Sequence, residues 1–188
     1  MSSDYFPFPN REDSYGILER DPCFGKIRPG SVRAVFDTAW ETGVKEGNVF
    51  LKEHDPFDLN MVCVLEDEGF SIITENKDYV IGTQRYFCEY LPKSMQVIIY
   101  SGSVKLWAEK QALDYETAKN VILAHEYFHY LENTKLGWVS RQHMVPMLRI
   151  GKFELGSTGV PALSEVAANA FANTLFVAVT GEADLCGE

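Results

Sequence analysis

Apolar side chains recur at intervals of three and four residues in five stretches of the chain, which is the spacing of a helix with one buried face. The pattern predicts helices over about 32–45, 56–68, 104–112, 115–135 and 161–179. Ser31, Asp55 and Asp114 can each cap the helix that follows by accepting a hydrogen bond from its first turn. We therefore expect helices to make up much of the fold.

The spacing changes between these helices, where short segments are rich in β-branched and aromatic residues. The segments are 70–73, 78–83, 85–91 and 95–100. Runs of this length and composition are typical of strands. We expect them to form a small antiparallel sheet packed against the helices, which is an α+β fold.

The two ends of the chain differ in character. Residues 1–30 hold four of the eight prolines and show no sustained periodicity, so we expect an extended N-terminal arm. Its aromatic residues Tyr5, Phe6 and Phe8 favour an arm draped over the rest of the protein. Residues 31–188 have the length of one domain. The connection 136–160 is long, and such connections are usually functional or mobile.

The charge balance excludes some partners. Lys and Arg total 17 against 27 Asp and Glu, which gives a formal net charge of −10. A surface that binds nucleic acid directly needs concentrated positive charge, and so does one that binds an anionic membrane. We therefore expect neither partner.

The expected location is the cytoplasm. The most apolar stretch, 160–179, carries Glu165, Asn169 and Asn173, so we expect no membrane-spanning segment, and the N-terminus has no signal-peptide pattern. The cysteines are scattered and form no CxxC pair, which favours a reduced protein. They are Cys23, Cys63, Cys88 and Cys186.

The candidate chemistry lies in the helix predicted over 115–135, which contains His125-Glu126-Tyr127-Phe128-His129. Two histidines four residues apart differ by about 40° around a helix, so their rings can converge on one metal ion. Glu126 lies about 60° around the helix from His129. It can lean over the metal without binding it and accept a proton from water.

An HExxH sequence also arises by chance, and two helical histidines can simply be surface or core residues. Three observations favour a metal site. The motif lies within a strongly predicted helix, the preceding residues 121–124 are apolar, and two of the four histidines of the chain are in it. We therefore expect a metal centre at His125 and His129.

A catalytic zinc site has a third protein ligand. We favour Glu165, because Ala168 and Ala172 follow on its face of the last helix and allow close approach to the HExxH helix. The alternatives are Glu154, His143 and Glu132. Of these, Glu132 lies on the HExxH helix itself, and we expect it either to orient a ligand or to be exposed to solvent instead of binding the metal.

The two helices together resemble the ImmA/IrrE family of HExxH zinc metallopeptidases, a gluzincin-like group. The resemblance rests on Ala124-His125-Glu126-x-x-His129 and on Glu165-x-x-Ala168-x-x-Phe171-Ala172, and it covers roughly residues 56–180. It implies a zincin-like domain with HExxH on a central helix. It also implies zinc-dependent, site-specific cleavage of a regulatory protein such as a helix-turn-helix repressor.

In this reading His125, His129 and Glu165 hold Zn²⁺, and Glu126 is the catalytic base. His143, Arg141 and Tyr100 are candidates for an electrophilic helper, and strand 95–100 is a candidate for pairing with an extended substrate. The alternatives are a different metallohydrolase, a regulatory domain that binds metal without turnover, and an acidic interaction domain with a chance HExxH.

Overall fold

The computed structural model describes residues 9–181, which form an α+β fold. The α-helices of this part of the chain are α1 (Arg11–Glu19), α2 (Val32–Phe50), α3 (Met61–Asp67), α4 (Ser101–Gln111), α5 (Tyr115–Leu131) and α6 (Ala162–Thr180). Its strands are β1 (Ser71–Glu75), β2 (Tyr79–Ile81), β3 (Gln84–Tyr86), β4 (Cys88–Leu91), β5 (Gln96–Tyr100), β6 (Met144–Ile150) and β7 (Phe153–Gly159).

The long helices lie where the apolar spacing predicts them. Helix α5 begins after Asp114, whose carboxylate accepts a hydrogen bond from the Thr117 amide at 3.0 Å, so that predicted cap is confirmed. Helix α2 begins at Val32 as expected but continues to Phe50, and the Ser31 side chain makes no capping hydrogen bond, so that predicted cap is wrong. Helix α6 ends at Thr180 and is followed by Gly181. Gly181 has φ 68°, a left-handed conformation that glycine adopts without strain.

The N-terminal segment is not an extended arm over the residues that the structure describes, so that prediction is wrong there. The Asn10 side chain accepts a hydrogen bond from the Asp13 amide at 2.8 Å and caps α1. Ser14 and Leu18 are fully buried in this helix, which packs against α6. Tyr5, Phe6 and Phe8 lie outside the described residues.

The helix predicted over 56–68 is interrupted, which corrects the sequence interpretation. Asp55 caps only a short 3₁₀ turn, Pro56–Asp58, and Asn60 caps α3 by accepting a hydrogen bond from the Val62 amide. The Asn120 side chain holds the break, because it donates to the Leu59 carbonyl at 3.1 Å and accepts from the Met61 amide at 3.0 Å.

The sheet is mixed and not wholly antiparallel as predicted. Its strand order is β1-β5-β4, with β4 antiparallel to β5 and β1 parallel to it, while β2 and β3 pair as a separate hairpin. Strand composition predicts extended backbone but carries no information on the direction of the neighbouring strand.

The long connection contains a second hairpin that the sequence interpretation missed. Strands β6 and β7 pair antiparallel around a turn at Gly151, where φ is 60°. The hairpin projects several large apolar side chains into solvent, so it lacks the alternation of buried and exposed positions by which a strand is usually recognised. The exposed residues are Met144, Met147, Leu148, Ile150, Phe153 and Leu155.

Helix α6 is the central element and contacts α1, α2 and α5. By length and composition α6 is apolar enough to cross a membrane, although its polar residues led us to expect otherwise. However, 72% of its most apolar stretch is buried within the protein. Such burial is typical of the core helix of a soluble protein. Among residues 9–181 the three cysteines are free thiols, namely Cys23, Cys63 and Cys88.

Close packing of α2 against α6 depends on glycine. A Cβ atom at Gly43 would collide with the Ala167 carbonyl oxygen and lie 2.7 Å from the Ala170 Cβ. We predict that Gly43→Ala lowers the free energy of unfolding by about 1–3 kcal/mol, because overpacking outweighs the gain of about 1 kcal/mol in helix propensity. Chemical denaturation measures this change.

The matched control is Gly30→Ala, because a Cβ there would meet nothing within 4 Å. It should change stability by less than about 0.5 kcal/mol. Equal stability of the two variants would show that α2 and α6 have room to separate.

Candidate metal centre

Helices α5 and α6 bring three side chains to one point. The Nε2 atoms of His125 and His129 are 3.2 Å apart, and the Glu165 carboxylate lies 3.3 Å from His125 Nε2 and 3.6 Å from His129 Nε2. In tetrahedral coordination with bonds of about 2.0–2.1 Å, neighbouring ligand atoms are about 3.3 Å apart. The three residues therefore fit a single metal ion, and their donor set suits zinc and several other transition metals.

The outer nitrogen of each imidazole is held by a polar partner. His125 Nδ1 lies 2.8 Å from Asn169 Oδ1, and His129 Nδ1 lies 3.0 Å from Glu132 Oε2. Because each Nδ1–H donates to an oxygen, the neutral form of each imidazole has its lone pair on Nε2, where a metal can bind. Such partners fix the tautomer and the orientation of metal-binding histidines.

Glu132 is a structural centre of this site. Its side chain is 2% exposed, and its Oε1 accepts hydrogen bonds from the Val139 amide at 2.8 Å and the Ser164 hydroxyl at 2.7 Å. It lies in the π-helical turn Glu132–Leu136 that follows α5, and Ser164 lies beside Glu165 in α6. Glu132 therefore ties together α5, α6 and the segment after α5, and its place is that of an orienting residue.

Asn169 extends the site to the N-terminal helix. Its amide donates to the Ser14 hydroxyl at 3.1 Å, and that hydroxyl donates to the Asn10 carbonyl at 2.6 Å. The sequence interpretation did not assign Asn169 this role. Asn169 lies four residues after Glu165 on the same face of α6, and this spacing could have indicated its role from the sequence.

The site is electrostatically coupled. Burial lowers the pKa of His125, but the hydrogen bond and the negative charge of Glu165 outweigh this and raise the pKa to about 9. Burial raises the pKa of Glu165, but its hydrogen bond to His125 and the neighbouring histidines lower it to about 2. Glu165 is therefore anionic at neutral pH, as a metal ligand must be.

Glu126 lies beside the two histidines without hydrogen-bonding to either of them. Burial raises the pKa of its carboxyl, the two histidines lower it, Glu165 and Glu89 raise it, and the net pKa lies above its ordinary value. Glu126 lines the same cleft as the three converging residues. A carboxylate with a raised pKa next to a metal site is suited to accept and return a proton.

The structure separates two of the other candidate ligands, Glu154 and His143, from this group. Glu154 is exposed on the hairpin strand β7, and His143 lines a different cavity against α2. Among residues 9–181 the group of converging ligands consists of His125, His129 and Glu165.

Of the three candidate electrophilic helpers, Arg141 is the one placed at the cleft. Tyr100 is 3% exposed and packs against Tyr79 with ring centroids 4.5 Å apart, so it cannot reach a substrate. His143 belongs to the other cavity. The cleft also contains Tyr86 and Tyr90, whose hydroxyls the sequence interpretation did not consider.

The cleft has a volume of about 880 Å³ and is open to solvent. Strand β5, predicted to pair with a substrate, has β1 on one side and β4 on the other, so its backbone is already paired and that prediction is wrong. The edge strand next to the cleft is β4, whose Tyr90 lines it. An extended peptide could add to this edge.

Comparison with known proteins identifies no relative of this chain. No protein-family model, curated protein or solved structure matches the chain. The site therefore has to be interpreted from its own geometry.

The coupling of His125 to Glu165 makes metal binding depend on pH. His125 is protonated at neutral pH before metal is added, whereas a ligand must be neutral. We predict that Zn²⁺ binding at pH 7.5 releases about one proton, and that affinity rises about tenfold per pH unit up to about pH 9. Glu165 stays anionic throughout this range and adds no pH dependence.

Calorimetric titration of Zn²⁺ in two buffers with different ionisation enthalpies measures the released protons. An affinity that stays constant between pH 7 and 9 would contradict the protonation state assigned to His125.

The role of Glu132 is tested by Glu132→Gln. We predict Zn²⁺ affinity about 10–100-fold weaker, because His129 loses the carboxylate that orients its ring. The matched control is Glu109→Gln, at an exposed glutamate of α4, which should bind Zn²⁺ like the wild type. Unchanged affinity in a folded Glu132→Gln protein would remove Glu132 from the metal centre.

Proposed function

We propose that the protein is a cytoplasmic zinc-dependent metallopeptidase with a zincin-like fold, similar to the ImmA/IrrE family. The observation that carries this proposal is the convergence of two Nε2 atoms and one carboxylate at tetrahedral spacing, with Glu126 beside them in an open cleft. This arrangement suits hydrolysis better than storage of a metal, because a purely structural zinc site is closed by four protein ligands.

Each residue has a distinct role in the proposed reaction. His125, His129 and Glu165 would hold Zn²⁺, which when bound polarises a carbonyl group and acidifies water. Glu126 would accept the proton of the attacking water and return it to the leaving amine. Asn169 and Glu132 keep the two imidazoles in place, so the ligands need little rearrangement.

The cleft is suited to a protein chain as substrate. It extends from β4 and the β2–β3 hairpin to the start of α6, and Trp138 and Arg141 line it. An extended segment can pair with β4 by backbone hydrogen bonds, which is sequence-tolerant recognition. We propose a regulatory protein as substrate, such as a helix-turn-helix repressor, whose basic surface would complement the net charge of −10.

The decisive experiment is Glu126→Gln in the zinc-loaded protein. We predict wild-type zinc content and a loss of turnover of about 10²–10⁴-fold, because the base is removed while the ligands remain. Zinc is counted by mass spectrometry of the metal, and turnover is measured on a random-sequence peptide library by mass spectrometry of the products. The matched control, Glu116→Gln, changes an exposed glutamate of the same helix.

Cleavage by Glu126→Gln at the wild-type rate would overturn the mechanism. Stoichiometric zinc without cleavage of any library peptide or repressor by the wild type would favour the regulatory alternative, in which the site binds metal but does not turn over.

A further inference from the structure

One face of the hairpin formed by β6 and β7 is apolar. In an antiparallel pair, residues directly opposite each other point to the same side, and so do alternate residues of one strand. The register therefore gathers seven residues on one side, which we call the apolar face: Met144, Pro146, Leu148 and Ile150 of β6, and Phe153, Leu155 and Ser157 of β7. None of them is charged.

The opposite face of the hairpin attaches it to the rest of the protein. Val145 and Thr158 are opposite each other on that face, where Val145 is buried and Thr158 lines the cleft. The Lys26 ammonium also donates to the Met147 carbonyl at 2.9 Å. The hairpin is therefore anchored through its opposite face, and the apolar face is left exposed.

The exposed area of the apolar face is large for a monomer. Its large side chains range from 47% exposed at Met144 to 83% exposed at Phe153. Together they present on the order of 600 Å² of apolar surface, the upper end of what the largest patch of a typical monomer exposes. A two-stranded hairpin is also only marginally stable in water without packing. Both observations indicate a partner that covers this face.

The order of side-chain sizes on the apolar face suits a second copy of the same chain. Along β7 the side chains become smaller from the tip of the hairpin to its base, from Phe153 through Leu155 to Ser157. A two-fold axis through the Leu148–Leu155 pair would bring Phe153 of one copy over Ser157 of the other, a large residue over a small one. A two-fold interface requires a patch that is complementary to itself, and this face meets that requirement.

Area and charge agree with a protein partner of this kind. Two apolar faces packed together would bury on the order of 1,200 Å², the lower end of the range for stable and specific interfaces. An interface core without charged residues is typical of homodimers. An anionic membrane is disfavoured, because the net charge of −10 opposes its approach.

We propose that the protein forms a homodimer in which the apolar faces of two β6–β7 hairpins pack against each other about a two-fold axis near Leu155. Thr158 lines the cleft from the opposite face of the hairpin, so the apolar face points away from the cleft. The inference concerns the partner of this chain and is independent of the proposed peptidase function.

The first test is sedimentation equilibrium of the full chain. We expect a monomer–dimer equilibrium with a dissociation constant of about 1–50 µM, because an interface at the lower end of the size range binds weakly. Raising NaCl from about 0.05 to about 0.5 M should tighten the dimer several-fold, because salt screens the repulsion between two acidic copies.

The second test places a charge on the apolar face. We expect Phe153→Glu to weaken the dimer at least about 30-fold, because the carboxylate would lose water within an apolar contact. The matched control is Phe57→Glu, since Phe57 is 86% exposed and lies outside the hairpin. It should dimerise like the wild type. Both positions are exposed, and circular dichroism verifies that both variants fold.

The third test asks whether the partner is the same face of a second copy. Leu155→Glu and Leu155→Lys should each be monomeric at about 50 µM, because like charges would meet near the axis. An equimolar mixture of the two should form a heterodimer, because the charges are then opposite. Native mass spectrometry distinguishes the heterodimer from either homodimer.

Each of the other outcomes would overturn the proposal. A wild type that is monomeric at 200 µM would exclude the dimer, and sedimentation of the wild type but not of Phe153→Glu with phosphatidylglycerol vesicles would assign the face to a membrane. A dimer that persists in Phe153→Glu and Leu155→Glu would have its interface elsewhere. Two monomeric Leu155 variants that form no heterodimer when mixed would exclude the two-fold arrangement.

Discussion

The candidate site depends on how closely α6 approaches α5. The two imidazoles come from one helix and are aligned by its own geometry, but the carboxylate comes from the other, so the distance between the helices sets the distance between the ligands. Small residues allow this approach, because Ala168 and Ala172 follow Glu165 on its face of α6 and are fully buried. A shift of α6 by 1 Å would exceed the tolerance of a metal–ligand bond.

Buried polar groups then convert this contact into a defined arrangement. A buried carboxylate such as Glu132 is costly unless its oxygens are satisfied, and here they accept hydrogen bonds from His129, the Val139 amide and Ser164. The network is complete, because among the described residues no buried side-chain polar atom lacks a partner. A fully paired network of this kind favours one packing of the two helices over others.

The sequence predicts the parts of this structure that depend on local geometry. The spacing of His125 and His129 follows from the pitch of a helix, and the cap at Asp114 follows from side-chain chemistry. The parallel pairing of β1 with β5 depends on contacts between segments that are distant in the chain. The residue composition of a strand does not indicate such contacts. Strands β6 and β7 were not predicted because several of their apolar residues face water. Helix α1 was not predicted because its cap residue, Asn10, lies in a proline-rich segment.

The order of the ligands along the chain also matters during synthesis. Both histidines leave the ribosome well before α6, which supplies the carboxylate and much of the core. A nascent chain that ends before α6 carries the two imidazoles without Glu165, and its α5 lacks the contact with α6. Under the proposed function, the three-ligand site would therefore be complete only after α6 has been made, and an incompletely synthesised chain would lack one of the three ligands.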